Sequence, residues 1–491
     1  MKSIRLAIVI VVCLTFHFIA RAELKLPAVF ADNMVLQQQM AVPVWGWSDP
    51  GAAVTVKFAG QAKTTQADAS GRWMVKLDKL KASAAPQAFL VESGETRTLT
   101  NVLVGEVWLA SGQSNMEKPV GPHPGQKPCF NYEEELASAN YPQIRILRVE
   151  HAVSETPIKD LGKYFGWREC SSNALSSTEF SAAAYFFGRE IYTNLNVPVG
   201  LIESSWGGTR IEPWTPPAGF EQVSSLAELA SPHFPAGKIP TTAPTVMFNA
   251  MIAPITGYAM RGALWYQGES NLMGGTNDYS YRDYADKMVA LVGGWRALWH
   301  EGDFPFYFVQ IAPFKYFSGS RQRVPSPKCL PEFWVLQSQA NHRIKNTGMV
   351  VTTDLVDSLK DIHPRDKQSV GHRLALLALD KTYDKEVDSE SPAFDEMHVS
   401  GDKAILEFDN TDGGLMSKDG KPLTWFEIAG ADGKFVPAEA KITGKDAVEV
   451  SSAEVKEPKA VRFAWDETAE PNLCNKAGLP AEPFNTQMPA E

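Results

Sequence analysis

A hydroxyl, an imidazole and several carboxylates occur in this chain where they could act together. Ser114 lies in the cluster Ser111-Gly-Gln-Ser-Asn115, which follows the nearly continuous apolar run Val102 to Ala110. The clusters Trp206-Gly-Gly-Thr209 and Gln267-Gly-Glu-Ser-Asn271 also end strand-like runs, as does a loop holding Asp354, Asp357, Asp361 and His363. A serine hydroxyl is a weak nucleophile until a neighbouring imidazole takes its proton. A carboxylate can orient that imidazole, and amides beside small residues can stabilise the oxyanion that develops. The chemistry is acyl transfer, with Ser114 as nucleophile and His363 as base. Of nine histidines, His363 is the best placed, since it follows a buried-type run and precedes Pro364, which suits the first turn of a helix.

Four loops can meet only if the strands before them run parallel in one sheet. Residues 101–385 supply that pattern. Strand-like runs at Val102–Ala110, Val197–Ile202, Ala263–Tyr266, Phe306–Ala312 and Gly348–Thr353 alternate with helical patterns at Glu179–Tyr192, Tyr281–Trp299, Glu332–Ile344 and Arg365–Thr382. Such alternation predicts βαβ units, a parallel sheet covered on both faces, and a ligand site at the carboxyl edge of the strands. Residues 23–100 read as short strands punctuated by turns, a small sandwich-like β domain, and residues 386–491 return to β character.

Residues 1–22 have the form of a secretory signal. Lys2 and Arg5 precede the apolar stretch Leu6–Ile19, and Ala20-Arg-Ala22 is a cleavage-type site, so an exported protein cut after Ala22 is expected. A net charge of −10 argues against nucleic acid or an anionic membrane surface as partner. Cys13 leaves with the signal. Cys129, Cys170, Cys329 and Cys474 permit up to two disulfides or remain as buried thiols, and none has the C-x-x-C spacing of a zinc site. No metal or cofactor is expected, and the oligomeric state is left open.

The blocks Gly112-Gln-Ser-Asn-Met116, Gly207-Gly-Thr-Arg-Ile-Glu-Pro-Trp214, Trp265-Tyr-Gln-Gly-Glu-Ser-Asn271 and Asp361-Ile-His-Pro-Arg-Asp-Lys-Gln368 occur in that order. Together with Phe30-Ala-Asp-Asn-Met-Val-Leu-Gln37, they make the chain resemble the sialate O-acetylesterase family of the SGNH hydrolase superfamily. The resemblance implies a flavodoxin-like α/β catalytic domain, flanked here by the two β-rich regions, and removal of acetyl groups from sugars. It implies Ser114 as nucleophile and His363 as base, with an oxyanion hole from the amides of Ser114 and Gly207 or Gly208. Gln267 or Asn271 is the implied third donor, with Gln267 preferred because it directly ends the strand.

One departure concerns the acid. The superfamily pattern D-x-x-H would put Asp where this chain has Lys360, and Asp361 stands two residues before the histidine. In an extended loop that spacing aligns Asp361 with His363. In a turned loop, Asp357, Asp354 or a backbone carbonyl takes over, or the acid is absent. Gln113, Trp206, Arg210 and Glu269 are expected near the substrate, although for Arg210 pairing with Glu269 or Glu212 to brace the loops is the preferred arrangement, because isolated buried charges are costly. Trp214 and Trp265 fit either a sugar wall or a core. Other acetylated glycans such as xylan would need the same machinery. A glycosidase using two of Glu203, Glu212 and Glu269, and a non-catalytic glycan-binding protein, are the competing classes.

Overall fold

The computed structural model describes residues 24–232, 234 and 238–488. The expected signal peptide lies outside them. The apolar run becomes the second half of one 18-residue strand, β1 (Glu95–Gly112), buried throughout from Val102 to Gly112. β2 (Val199–Ser205) and β3 (Gly262–Tyr266) flank it, both parallel to it. β4 (Phe306–Val309) and β5 (Thr347–Val350) extend the parallel sheet beyond β3. The resulting order, β2-β1-β3-β4-β5, is the flavodoxin-like one. After β2 the chain crosses from one side of β1 to the other, which places the ligand crevice above β1 and β3. Asn140–Val149 pairs parallel with β2, and Tyr164–Ser171 closes that edge antiparallel.

Side chains alternate across the pleat, so β1 feeds two cores. Val107 and Leu109 join the core under α3 (Tyr284–Trp299) and α4 (Cys329–Arg343). Trp108 and Ala110 join the opposite one, under α2 (Ala182–Leu195) and α5 (Lys367–Lys381). Burial on both faces is why apolar residues fall on both sides of the run rather than at alternate positions, with Glu106 as the charged exception, paired to Arg261 at 2.7 Å.

The first half of β1 pairs antiparallel with Ser83–Ser93 of the amino-terminal β region. The boundary expected at residue 100 therefore falls inside one continuous strand. The sequence there, Glu95-Thr-Arg-Thr-Leu-Thr100, alternates without any glycine or proline to end it. The carboxy-terminal β region has its own core, including Leu406, Val448, Val450 and Phe463. It reaches the central region through Lys418, 2.7 Å from Asp354, and through Glu467, which accepts from the amides of Phe317 and Ser318 at 2.6 and 2.8 Å. Cys129, Cys170, Cys329 and Cys474 are all buried free thiols, so none of the permitted disulfides forms.

Candidate active site

β1 ends at Gly112, whose φ of 139° suits glycine. A Cβ there would lie 2.2 Å from the carbonyl oxygen of Tyr266, so β1 and β3 could not converge with any other residue. The chain then turns into the short helix α1 (Ser114–Glu117) and presents Ser114 at the sheet edge. His363 arrives from the loop between β5 and α5, 249 residues later, and its Nε2 lies 2.9 Å from Ser114 Oγ. The hydroxyl and imidazole singled out in the sequence are thus in hydrogen-bond contact.

The carboxylate is arranged differently. The loop turns, and Asp361 Oδ1 accepts from the backbone N–H of His363 at 3.0 Å, an Asx-type turn. Its oxygen is 3.9 Å from His363 Nδ1, beyond hydrogen-bond reach. Asp354 is buried against Arg373, with contacts of 2.8 Å, and Lys418, so it cannot serve the imidazole. Among the described residues no side chain hydrogen-bonds Nδ1 of His363. Burial first, and the Lys367 ammonium second, push the His363 imidazole down to about 4, with Asp361 partly opposing.

Of the expected oxyanion donors, Gly207 sits against the nucleophile: a Cβ on it would lie 3.2 Å from Ser114 Cβ. Its N–H, however, donates to Glu117 Oε2 at 2.7 Å. Gly208 adopts φ 75° beside it. Gln267 and Asn271 are buried in a separate network. The Gln267 amide donates to Gln113 Oε1, Thr209 O and Asn271 Oδ1 at 3.1, 3.1 and 2.8 Å, and Asn271 Nδ2 donates to Glu212 at 3.0 Å. Both amides brace the three loops against each other and neither is free to meet an oxyanion.

The expected substrate contacts divide in the same way. Gln113 Oε1 also accepts from the Ser270 amide at 3.2 Å, inside this brace. Glu269 lies under the site, buried, accepting from Asn115 Nδ2 at 2.5 Å, so a direct hold on substrate is corrected to a buried role. Arg210 pairs with neither Glu269 nor Glu212. Its half-buried guanidinium is 3.9 Å from Asp278, while Glu212 takes Lys287 at 2.8 Å. Lys287 is buried beside Glu212 and leaves Arg210 at the surface. Trp214 and Trp265 are core residues, whereas Trp206 is half-buried and stacks flat on His151 at 4.4 Å. Glu203 is buried too, between Ser181, Ser205 and Arg148, and burial lifts its carboxyl to about 7. No two of Glu203, Glu212 and Glu269 flank an open cleft, which removes the glycosidase reading.

Glu117 is the residue that sequence reasoning missed most plainly. Besides Gly207, it takes His151 Nε2 at 2.6 Å and Arg148 at 3.3 Å. Burial raises its carboxyl, but the bond to His151, with Arg148 and the Gly207 amide, outweighs that and holds it below the usual carboxylate range. The signal was present: Glu117 lies three residues after Ser114, one turn along the same helical face.

Sheet order, switch point and the Ser114–His363 pair define the class, a serine-type ester hydrolase on a flavodoxin-like sheet. The family model for "Carbohydrate esterase, sialic acid-specific acetylesterase" matches residues 104–380, more than half of the chain. The chain belongs to this family and is a carbohydrate O-acetylesterase. It is 34% identical to the sialate O-acetylesterase of Homo sapiens, over 76% of this chain and 74% of that protein. It is 30% identical to that of Mus musculus, over 94% of both. A crystal structure of a carbohydrate acetylesterase from Xanthomonas citri superposes with a TM-score of 0.83, at 35% identity, covering 94% of this chain and 99% of that one. Among the described residues no helix is long and apolar enough to cross a membrane.

Proposed function

We propose that the protein removes O-acetyl groups from sialic acids through an acyl-enzyme on Ser114. The observation that carries this reading is the 2.9 Å contact of Ser114 Oγ with His363 Nε2 at the switch point of the sheet. His363 takes the hydroxyl proton as Ser114 Oγ bonds to the acetyl carbon. The tetrahedral oxyanion is received by the amides of Ser114 and Gly208, while Glu117, tied to Gly207, fixes the loop that carries Gly208. Collapse breaks the bond to the sugar oxygen, which takes the proton from His363. Water then attacks the acetyl-serine by the same steps in reverse and releases acetate. The Trp206–His151 stack supplies a flat wall for the sugar ring. Arg210, at the open side, suits the carboxylate that distinguishes sialic acids from neutral sugars.

Acetate release from O-acetylated sialic acid and from acetylated xylan tests the substrate. The expected result is the higher kcat/KM on the sialic acid. A higher value on the xylan overturns the sialate reading in favour of a hemicellulose esterase.

The base also fixes the pH dependence. Only neutral His363 can accept the proton of Ser114. An exposed histidine would give an acid limb near pH ~6.5, but burial and Lys367 move it to about 4. The expected kcat/KM is nearly level from about pH 8 down to about pH 5 and falls below that. Stability follows the same shift. Above about pH 6.5 the imidazole is neutral folded or unfolded; below it the unfolded chain binds the proton first, so stability declines until the folded state also titrates. Rates measured with folding checked at each pH decide: an acid midpoint near 6.5 contradicts the buried, cation-flanked base.

A further inference from the structure

We infer that His363 is positioned from beneath by Asn115 and Lys367, which grip the peptide on both sides of it, and that this clamp takes the orienting part of a triad carboxylate. The inference rests on the Ser114–His363 reading. Asn115 Nδ2 donates to the carbonyl of Ile362 at 3.0 Å, one residue before the base. Lys367 Nζ donates to the carbonyl of Pro364 at 2.7 Å, one residue after it. The two grips are joined, because Lys367 Nζ also donates to Asn115 Oδ1 at 2.9 Å. Both side chains are fully buried.

Asn115 follows Ser114 directly in the chain. One side chain therefore ties the backbone of the nucleophile to the backbone of the base, and sets the spacing of Ser114 Oγ and His363 Nε2. Nothing comparable holds the imidazole through its other nitrogen, since Asp361 is spent on the peptide N–H. Glu269 anchors Asn115 from the far side, and its second oxygen has no hydrogen-bond partner among the described residues. The Lys367 ammonium lies over the Tyr266 ring at 5.3 Å, a cation–π contact added to its hydrogen bonds.

A buried lysine without a directly bonded carboxylate is expensive to keep charged. Burial draws Lys367 down to about 7, with Cys129 and Glu269 opposing and Lys118 assisting. The charged and titratable groups acting on the pair are Lys118, His123, Cys129, Glu269, Asp361 and Asp366. An apolar residue in this place would serve packing better, so a lysine here points to work done on the loop it holds.

The test is Lys367→Met beside Lys367→Arg in the full-length enzyme. Lys367→Met should lower kcat on the order of 10- to 100-fold, as loss of near-attack geometry does, with KM changed less than about twofold. Its acid limb should move up from about 4 toward the ordinary histidine value, because a cation next to the imidazole is gone. Its melting temperature should not fall, whereas removal of a merely structural residue would lower it. Lys367→Arg, which keeps donors and charge, should recover part of kcat. If Lys367→Met does not fold, Asn115→Ala releases the Ile362 carbonyl and should give the same kcat loss at constant KM. A folded Lys367→Met enzyme with kcat within about twofold of the parent and an unmoved acid limb overturns the clamp. Failure of the underlying reading is separately visible, since Ser114→Ala would then keep its activity whatever happens at Lys367.

Discussion

Ser114→Ala is expected to reduce acetate release by about 10⁴-fold or more, with kcat carrying the loss. Among the described residues the hydroxyl alone hydrogen-bonds His363 Nε2, at 2.9 Å, so its removal leaves the base with no nucleophile to activate. Any residual hydrolysis would come from water reaching the same pocket, helped only by the oxyanion donors and by substrate binding. The fold should be indifferent. Ser114 is half-buried, and α1 is held by backbone bonds from Met116 and Glu117 to Gln113 O, each 2.9 Å. Circular dichroism and the melting temperature should therefore match the parent. A serine-directed phosphonate should label the parent once and leave the variant unlabelled. Substantial acetate release by the folded variant, at more than about a hundredth of the parent rate, would remove Ser114 as nucleophile.

The parts of this site that were legible in the sequence are those fixed by periodicity and chain order. The run Val102–Ala110 is apolar but for Gly105 and Glu106, the pattern of a strand covered on both faces, and it is the central strand. The clusters after β1, β2 and β3 lie at one edge because the strands are parallel. Parallel strands bring Ser114 and His363 to one edge, but their order along the chain does not determine which atoms bond. The amides of Gln267 and Asn271 illustrate the difference. Both end or follow a strand at the right edge, as an oxyanion donor would, yet three acceptors surround the Gln267 amide and Glu212 takes that of Asn271. Partners in a buried polar network are chosen by tertiary packing, and each donor goes to whatever acceptor would otherwise be orphaned.

The same limit explains the other differences. Lys367 stands in plain view in Asp361-Ile-His-Pro-Arg-Asp-Lys-Gln368, and nothing in the pattern says that a lysine at the head of a helix will turn inward. Arg210 and Lys287 compete for Glu212, and spacing along the chain cannot tell that the buried lysine on α3 wins. The acid limb expected from an ordinary histidine misses the desolvation of His363, which depends on how much of the loop is covered. The boundary at residue 100 rests on a change in pattern, whereas the chain runs straight through it because a strand can change partners without breaking.

His363→Ala is the second large effect, and its contrast with Asp361→Asn decides how the base is built. Removing the imidazole should lower kcat by about 10⁴-fold, as much as removing the hydroxyl, and the double variant should lose little more, because the two groups act as one unit. Asp361→Asn should behave otherwise. In a triad the acid accepts from Nδ1, and its amide analogue, holding the wrong tautomer, costs about 10⁴-fold. Here the nearest Asp361 oxygen is 3.9 Å from Nδ1 and accepts instead from the His363 peptide N–H at 3.0 Å. An asparagine can keep that turn with its carbonyl oxygen. What it loses is the negative charge that partly offsets Lys367 near the imidazole. The expected result is a loss of kcat of about tenfold or less, with the acid limb moved slightly lower, since a carboxylate that favoured the protonated imidazole is gone. Steady-state kinetics on the three single variants and the Ser114→Ala/His363→Ala pair would measure this. A collapse of Asp361→Asn to the level of His363→Ala would mean that the carboxylate swings onto Nδ1 when substrate is bound, and that the enzyme works as a triad after all.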